Sequence, residues 1–260
     1  MNISFVKKLF SSKKRNFLIT SQILTALFGL VSGKLIAEYI SPEQFGAFNI
    51  QFAAFTFFSG IFVGPILQFI KASYFTDIPK YGLKNYVLSL TFFTFLFLLS
   101  LIFFFKFYKQ GEFYKVNLII VLFVMTPFYF LTNLISDQLN VLDRIKEFSW
   151  HSLLKSFFGL VFLGLFFFNF LKDSYITLWL IHLSISLIGV LLFINRIELL
   201  KGSNFLILRD FFKKQFNFTS PLIFLAIWSW VNNYFDRYVI EAFLGLNEVG
   251  IYNANYSLGS

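Results

Sequence analysis

A polar face on an otherwise apolar segment is the feature of this sequence that is best suited to bind a ligand. In the segment 221–243, the residues Ser229, Asn232, Asn233, Asp236 and Arg237 recur at intervals of three and four. That spacing places them on one face of an α-helix. The amides can hydrogen-bond to hydroxyl groups, and an Arg fork can bind phosphate oxygens. Two interpretations stay open: a water-filled wall that contacts a substrate, and a hydrogen-bond network that joins two halves of a bundle.

Two lysines also fall within apolar segments, where each ionisable group costs about 2.5–3.5 kcal/mol on insertion scales. Lys34 lines a cavity, or else it reaches the nearby interface or pairs with Glu38 one turn later. Lys155 contributes to the substrate site, or else it reaches the interface about two turns away. We predict the following substrate-binding residues: Lys34, Lys155, Asn232, Asn233, Asp236 and Arg237.

No catalytic or metal-binding residue is predicted. The chain has no Cys and only two His, His151 and His182, which are too few for a zinc cluster built from His alone. His182, Ser186 and Gly189 share one helix face. For His182 a proton relay and a packing hydrogen bond are both open interpretations.

The elements that position these residues follow from composition. Of 260 residues, 57% are hydrophobic and only 13% charged, whereas soluble domains have about 25% charged residues. This excludes a soluble enzyme, a disordered tail and a secreted disulfide scaffold. The formal charge of +9 comes from basic residues in the gaps between apolar runs, so we expect no nucleic-acid partner. The composition predicts a polytopic helical membrane protein.

Seven stretches have the roughly 20 apolar residues that a membrane helix needs. They lie near 17–40, 46–70, 84–105, 116–136, 148–171, 174–195 and 221–243, and an eighth begins around Gly250. Ser220 and Pro221 predict the start of the seventh helix, because Ser caps helices and Pro suits their first position. Pro65 and Pro127 are predicted kinks. The runs are apolar throughout rather than alternating, so the predicted fold class is all-α and not a β-barrel.

Orientation follows from the Lys and Arg count on each side of the membrane. With the N-terminus in the cytoplasm, the cytoplasmic side holds 15 of them and the outer side 4. The predicted organisation is a basic cytoplasmic N-terminus (1–16), a six-helix transmembrane lobe (17–195), a cytoplasmic inter-lobe loop (196–217) and the truncated start of a second lobe (218–260). The expected location is the bacterial inner membrane.

An internal repeat supports this division. Lys34 and Glu38 precede a turn, after which come Gly46, Phe48 and Asn49. The second copy has Arg237 and Glu241, then Gly250, Tyr252 and Asn253. The offset is 203 residues before the turn and 204 after it, so the second copy has one extra residue at the turn. Repeats of this kind are typical of transporters.

The segments 37–46, 236–240 and 248–256 resemble the loop after helix 1, helix 7 and the loop after helix 7 of Wzx-type flippases. These are lipid-linked oligosaccharide flippases of the multidrug/oligosaccharidyl-lipid/polysaccharide exporter superfamily. The resemblance implies two six-helix lobes around a cavity, of which this chain has the first lobe, helix 7 and the start of helix 8. It also implies an undecaprenyl-pyrophosphate-linked oligosaccharide as substrate, with membrane lipids and other polysaccharide-assembly proteins as partners. No cofactor is expected, and a proton, sodium or the membrane potential are candidate driving forces.

The function expected from this resemblance is flipping of the lipid-linked glycan by alternating access of two lobes, with Lys34 and Arg237 as a clamp on the pyrophosphate. A first alternative is a cation-coupled drug exporter of the same superfamily, in which Asp236 would be the coupling acid. A second alternative is a membrane-embedded glycan polymerase or glycosyltransferase. The short loops argue against an enzyme, because the longest polar gap, 196–217, has no acidic pair beyond the isolated Glu198 and Asp210.

Overall fold

A computed structural model describes residues 13–76, 81–108, 115–167, 174–194 and 208–259. These segments form nine helices and no strand. In chain order they are α1 (Lys13–Tyr39), α2 (Pro42–Phe62), α3 (Gly64–Ser73), α4 (Leu83–Phe107), α5 (Val116–Val141), α6 (Ile145–Phe167), α7 (Tyr175–Phe193), α8 (Leu208–Leu244) and α9 (Leu246–Gly259). The predicted all-α bundle is confirmed.

Six of the helices in the described part of the chain, namely α1, α2, α4, α5, α6 and α7, are long and apolar enough to cross a membrane. The second predicted span, 46–70, is divided between α2 and α3. Val63 caps the C-terminus of α2, and its backbone N–H donates a hydrogen bond to the carbonyl of Ser59. Helix α3 begins at the next residue, Gly64, which Pro65 follows. Proline lacks the N–H that would continue the hydrogen-bond ladder, so the predicted kink at Pro65 is a break between two helices.

The predicted start of the seventh helix at Pro221 is wrong. Helix α8 begins at Leu208 and continues for 37 residues with Pro221 in its interior. Tertiary contacts stabilise the additional turns, because Phe211 packs edge-on against Tyr86 with ring centroids 4.8 Å apart. Gln215 exchanges hydrogen bonds of 2.7 and 3.0 Å with Ser89 of α4. The part of the predicted loop 196–217 that the structure describes, 208–217, is therefore helical, and residues 196–207 and 1–12 lie outside the described residues.

The core lies around α2, which packs on α4, α7, α8 and α9. Phe55 is fully buried and packs on Phe97 and Trp179 at centroid distances of 5.0 and 5.2 Å. The indole N–H of Trp179 donates to the side-chain oxygen of Gln51 at 2.7 Å, which satisfies this donor, whereas Nε2 of Gln51 has no partner among the described residues. Helix α1 packs on α6 but is mostly exposed.

The two copies of the repeat form matching helix pairs, α1–α2 and α8–α9. The first turn consists of Ile40 and Ser41, and the second consists of Gly245, whose φ of +88° suits glycine. We call the end of the bundle that holds these two turns the turn end. After the turns, Asn49 donates to the carbonyl of Phe45 and Asn253 to that of Val249, both at 2.8 Å. The two asparagines thus have the same local structure.

Helices α2 and α9 cross in close contact at the glycines of the repeat. A Cβ on Gly46 would overlap the carbonyl oxygen of Leu246, and a Cβ on Gly250 would overlap that of Pro42. Pro42 and Leu246 are the first residues of α2 and α9. Each copy therefore makes the same contact with the other, which is the signature of an approximate two-fold relation.

Candidate functional site

Two hydrogen bonds to α2 set the rotation of α8 about its axis. The indole N–H of Trp230 donates to the carbonyl of Ala53 at 2.7 Å. The hydroxyl of Tyr238 donates to the carbonyl of Ile50 at 3.1 Å. A third bond, 2.9 Å long, runs from the hydroxyl of Tyr108, just after α4, to Glu241. The polar face of α8 is consequently held at a fixed angle to the first six membrane helices.

Arg237 is buried, with 9% of its surface exposed, at the edge of this contact. Its guanidinium lies 4.5 Å from the ring centroid of Tyr234, in a cation–π contact. Its Nε atom is buried without a hydrogen-bond partner, and no ion pair to it is found in the described part of the chain. A buried guanidinium with unused donors is suited to bind an anion.

Asp236 differs from its neighbour because its carboxylate is already occupied. It accepts a hydrogen bond from the backbone N–H of Arg237 at 2.8 Å and another from the hydroxyl of Tyr252 in α9. The contact with Tyr252 joins α8 to α9. Both contacts favour a structural role for Asp236 over direct contact with a substrate.

The two asparagines of the polar face are exposed. The side-chain amide of Asn233 donates to the carbonyl of Ser229 at 2.7 Å, within the same helix. Asn232 has no partner in the segments the structure describes. It lies four residues after Trp228, which is 69% exposed, so it faces the same open side of α8. Both side chains are available to a ligand or to further helices on that side.

Lys34 and Arg237 are equivalent in the repeat but differ in environment. They lie five and seven residues before the ends of their helices, which places them about 8 and 10 Å from the turn end. Lys34 is exposed, whereas Arg237 is buried. Lys34 makes no ion pair with Glu38. No contact between Lys34 and Arg237 is found, so their role as a clamp stays a prediction.

Lys155 lies elsewhere, in an open-sided cavity of ≈ 360 Å³ lined by residues of α1, α2, α5, α6 and α7. Besides Lys155, the residues of its wall with polar side-chain groups are Ser32, Tyr129, Ser156, His182 and Ser186. The structure therefore separates the six predicted residues. Four lie together on α8, Lys34 lies on the exposed α1, and Lys155 lies within the first lobe.

His182 lies in an aromatic environment at the wall of this cavity. Phe52 and Tyr129 pack on its ring at centroid distances of 5.2 and 5.5 Å. Its Nε2 atom is buried and without a hydrogen-bond partner in the described segments. The packing hydrogen bond that was one interpretation of His182 is made instead by His151, whose Nε2 lies 2.9 Å from the hydroxyl of Thr132.

Sequence reasoning missed three residues of these sites. Tyr234 packs under Arg237, Tyr129 lines the cavity, and Tyr108 bonds to Glu241. A tyrosine inside an apolar helix is itself a signal, since its hydroxyl needs a polar partner there. In the ranges that the structure describes, no group of three His, Cys, Asp or Glu side chains converges to hold a metal ion.

These observations define a class of protein: a multi-pass helical membrane protein that contains a two-helix repeat and has Lys and Arg side chains within its bundle. The family model described as "Polysaccharide biosynthesis protein" matches residues 12–260, and the chain belongs to this family. Comparison with curated proteins and with solved structures found no match.

Proposed function

We propose that the protein carries polyprenyl-pyrophosphate-linked oligosaccharide across the bacterial cytoplasmic membrane for the assembly of surface polysaccharide such as O-antigen. Its N-terminus lies in the cytoplasm, and the turn end faces outward. Membership of the polysaccharide biosynthesis family supports this proposal, since such proteins act on lipid-linked polysaccharide precursors and are typically transporters.

The single observation that carries the proposal is the buried guanidinium of Arg237, which has no ion pair with any residue that the structure describes. A pyrophosphate cannot cross hydrocarbon unaided, because a charge without a partner is very costly there. A buried cation with free donors offsets that cost and can bind two phosphate oxygens at once. The exposed amides of Asn232 and Asn233 lie one to two turns away on α8 and are suited to sugar hydroxyls.

The repeat supports alternating access as the mechanism. Transporters built from repeats expose a site to each side in turn by rocking one repeat against the other. In the present structure α2 and α9 touch at the turn end, through Gly46 and Gly250. Opening of the site toward that end requires this contact to separate, and its closure allows access from the opposite, cytoplasmic end.

Replacement of Arg237 tests the function in a strain that lacks its own copy of the gene. We expect Arg237→Ala to abolish surface glycan at an unchanged level of membrane-inserted protein. Arg237→Lys should restore only part of it, because Lys supplies the charge without the bidentate fork. Lys106→Ala is the matched control, since Lys106 is an exposed cation near the turn end of α4. Unchanged glycan in Arg237→Ala would refute the role of Arg237 as the pyrophosphate site.

A further inference from the structure

The wall of the cavity within the first lobe changes in character along its length. Helix α6 starts at the end opposite the turns, and α7 runs in the other direction. Lys155 and Ser156 therefore lie at about the same depth as His182 and Ser186. Nearer the turn end, Ile36, Leu163 and Leu178 form a wholly aliphatic wall. The cavity thus has a polar, cationic part and an apolar part.

The polar part carries a positive charge that nothing in the described segments balances. Lys155 lies ten residues into α6, about 15 Å from the start of that helix. It has no hydrogen bond and no ion pair among the described residues. The buried Nε2 of His182 is also without a partner on the same wall. A lysine in such a place calls for an anion, because an uncompensated charge is costly in an apolar environment.

The apolar part restricts which anion fits. A carbohydrate has hydroxyl groups on most of its faces, and the aliphatic wall near Leu163 would leave them unpaired. A hydrocarbon chain has no such requirement and gains free energy from contact with that wall. The volume of ≈ 360 Å³ lies at the small end of the range for ligand sites. It accommodates a head group and a short length of chain.

We propose that this cavity binds the phosphate end of a prenyl phosphate, with Lys155 as the counter-charge and the first isoprene units against Ile36, Leu163 and Leu178. This inference rests on the proposed function, since it assigns the lipid part of the substrate. It gives the lipid phosphate a second binding position inside the first lobe, apart from the polar face of α8, and this position is occupied at a different stage of transport from the contact with Arg237.

Binding of geranylgeranyl monophosphate to the purified protein in phosphatidylcholine nanodiscs tests the proposal. We expect saturable binding in the wild type that Lys155→Met weakens by roughly 10- to 100-fold, the effect of a lost charged hydrogen bond. Lys146→Met is the matched control, because Lys146 is an exposed lysine on the same helix. Ser32→Phe, which fills the cavity from α1 without a change of charge, should also abolish binding.

Three ligands separate the sources of affinity. Geranylgeraniol has the chain without the charge, inorganic phosphate has the charge without the chain, and phosphatidylglycerol is an ordinary anionic lipid. The proposal requires all three to compete at least tenfold more weakly than the prenyl phosphate. Equal competition by phosphatidylglycerol, or unchanged binding by Lys155→Met, would overturn it.

The same assay distinguishes this site from the one proposed on α8. Arg237→Ala tests the α8 site through the loss of surface glycan, whereas Lys155→Met tests the cavity through the loss of prenyl phosphate binding. Loss of binding in Arg237→Ala together with unchanged binding in Lys155→Met would place the phosphate on α8 and overturn the cavity proposal. Normal surface glycan in Arg237→Ala, together with tight binding that depends on Lys155, would refute the α8 site and support the cavity.

Discussion

Gly46 and Gly250 face each other where α2 and α9 cross, and neither position has space for a side chain. A Cβ built on Gly46 would lie 3.1 Å from the backbone nitrogen of Gly250 and would overlap the carbonyl oxygen of Leu246. Each glycine follows the first residue of its helix by four positions. The axis that relates the two helix pairs therefore passes through this crossing, where close backbone contact takes the place of side-chain packing.

The first prediction concerns this crossing. Gly46→Leu should force α2 away from α9 and lower the midpoint of thermal unfolding. This midpoint is measured in detergent by intrinsic fluorescence. Overpacking of a close contact costs about 1–3 kcal/mol, and Gly250→Leu should have the same effect. Gly33→Leu on α1 is the control, because a Cβ at Gly33 meets nothing within 4 Å. Equal midpoints for Gly46→Leu and Gly33→Leu would contradict the contact.

A second prediction concerns the bond between Tyr108 and Glu241, which joins the first six membrane helices to α8. Tyr108→Phe removes a donor from a carboxylate that is only 3% exposed. The loss of one partner of a buried polar group costs roughly 1–3 kcal/mol, so the unfolding midpoint should fall. Tyr256→Phe, on an exposed tyrosine, should change nothing. A drop of the same size in both variants would show that the bond is not responsible.

A third prediction follows from the position of Pro221 within α8. A proline in a helix interior costs about 3 kcal/mol, since it removes a hydrogen bond and clashes with the preceding turn. Pro221→Ala should therefore raise the unfolding midpoint and slow amide exchange around residues 217–225. Pro42→Ala gives the contrast, because Pro42 is at the first position of α2, where proline is tolerated. If Pro221→Ala were as neutral as Pro42→Ala, the helix would start at Pro221.

A fourth prediction concerns the packing of α7 against α5 and α6. A Cβ on Gly189 would overlap the hydroxyl of Thr132 and lie 3.2 Å from Nε2 of His151. Gly189→Ala should destabilise the protein, whereas Gly164→Ala, which meets nothing within 4 Å, should not.

Removal of the obstructing hydroxyl provides the test of mechanism for Gly189. In the double variant Thr132→Ala/Gly189→Ala, the loss of stability should be smaller than the sum of the two single losses. Neighbours of this kind couple by about 0.5–3 kcal/mol. Strict additivity in thermal unfolding would mean that the two positions do not share the contact.

The membrane helices and the repeat could be predicted because both depend on local sequence. Apolar runs of about 20 residues determine a membrane helix without reference to its neighbours. The repeat was visible because Gly46 and Asn49 recur as Gly250 and Asn253, and these residues make equivalent contacts. The start of α8 could not be found in this way. Ser220 and Pro221 form a plausible helix start, and only the packing of Phe211 on Tyr86 explains the longer helix.

The environment of each charged residue could not be predicted from the sequence, because it depends on how the helices pack. Lys34 and Arg237 are equivalent in the repeat, yet one is exposed and the other buried, because α8 is held against α2 by Trp230 and Tyr238. For Lys155 the sequence predicted a possible site but no cavity. The cavity depends on how α1, α6 and α7 pack together, which no local pattern determines.

The crossing of α2 and α9 also has a consequence for biogenesis. Gly250 follows Gly46 by 204 residues, so at about 5–20 residues per second α2 waits roughly 10–40 s for its partner. During that interval the surface of α2 around Gly46 is exposed to the lipid and to other chains. Surfaces with such small residues are those at which membrane helices associate. The correct partner carries a second copy of the same motif, a Gly followed by an aromatic residue and an Asn. The surface of α2 around Gly46 therefore stays uncovered in the nascent chain until α9 has been synthesised.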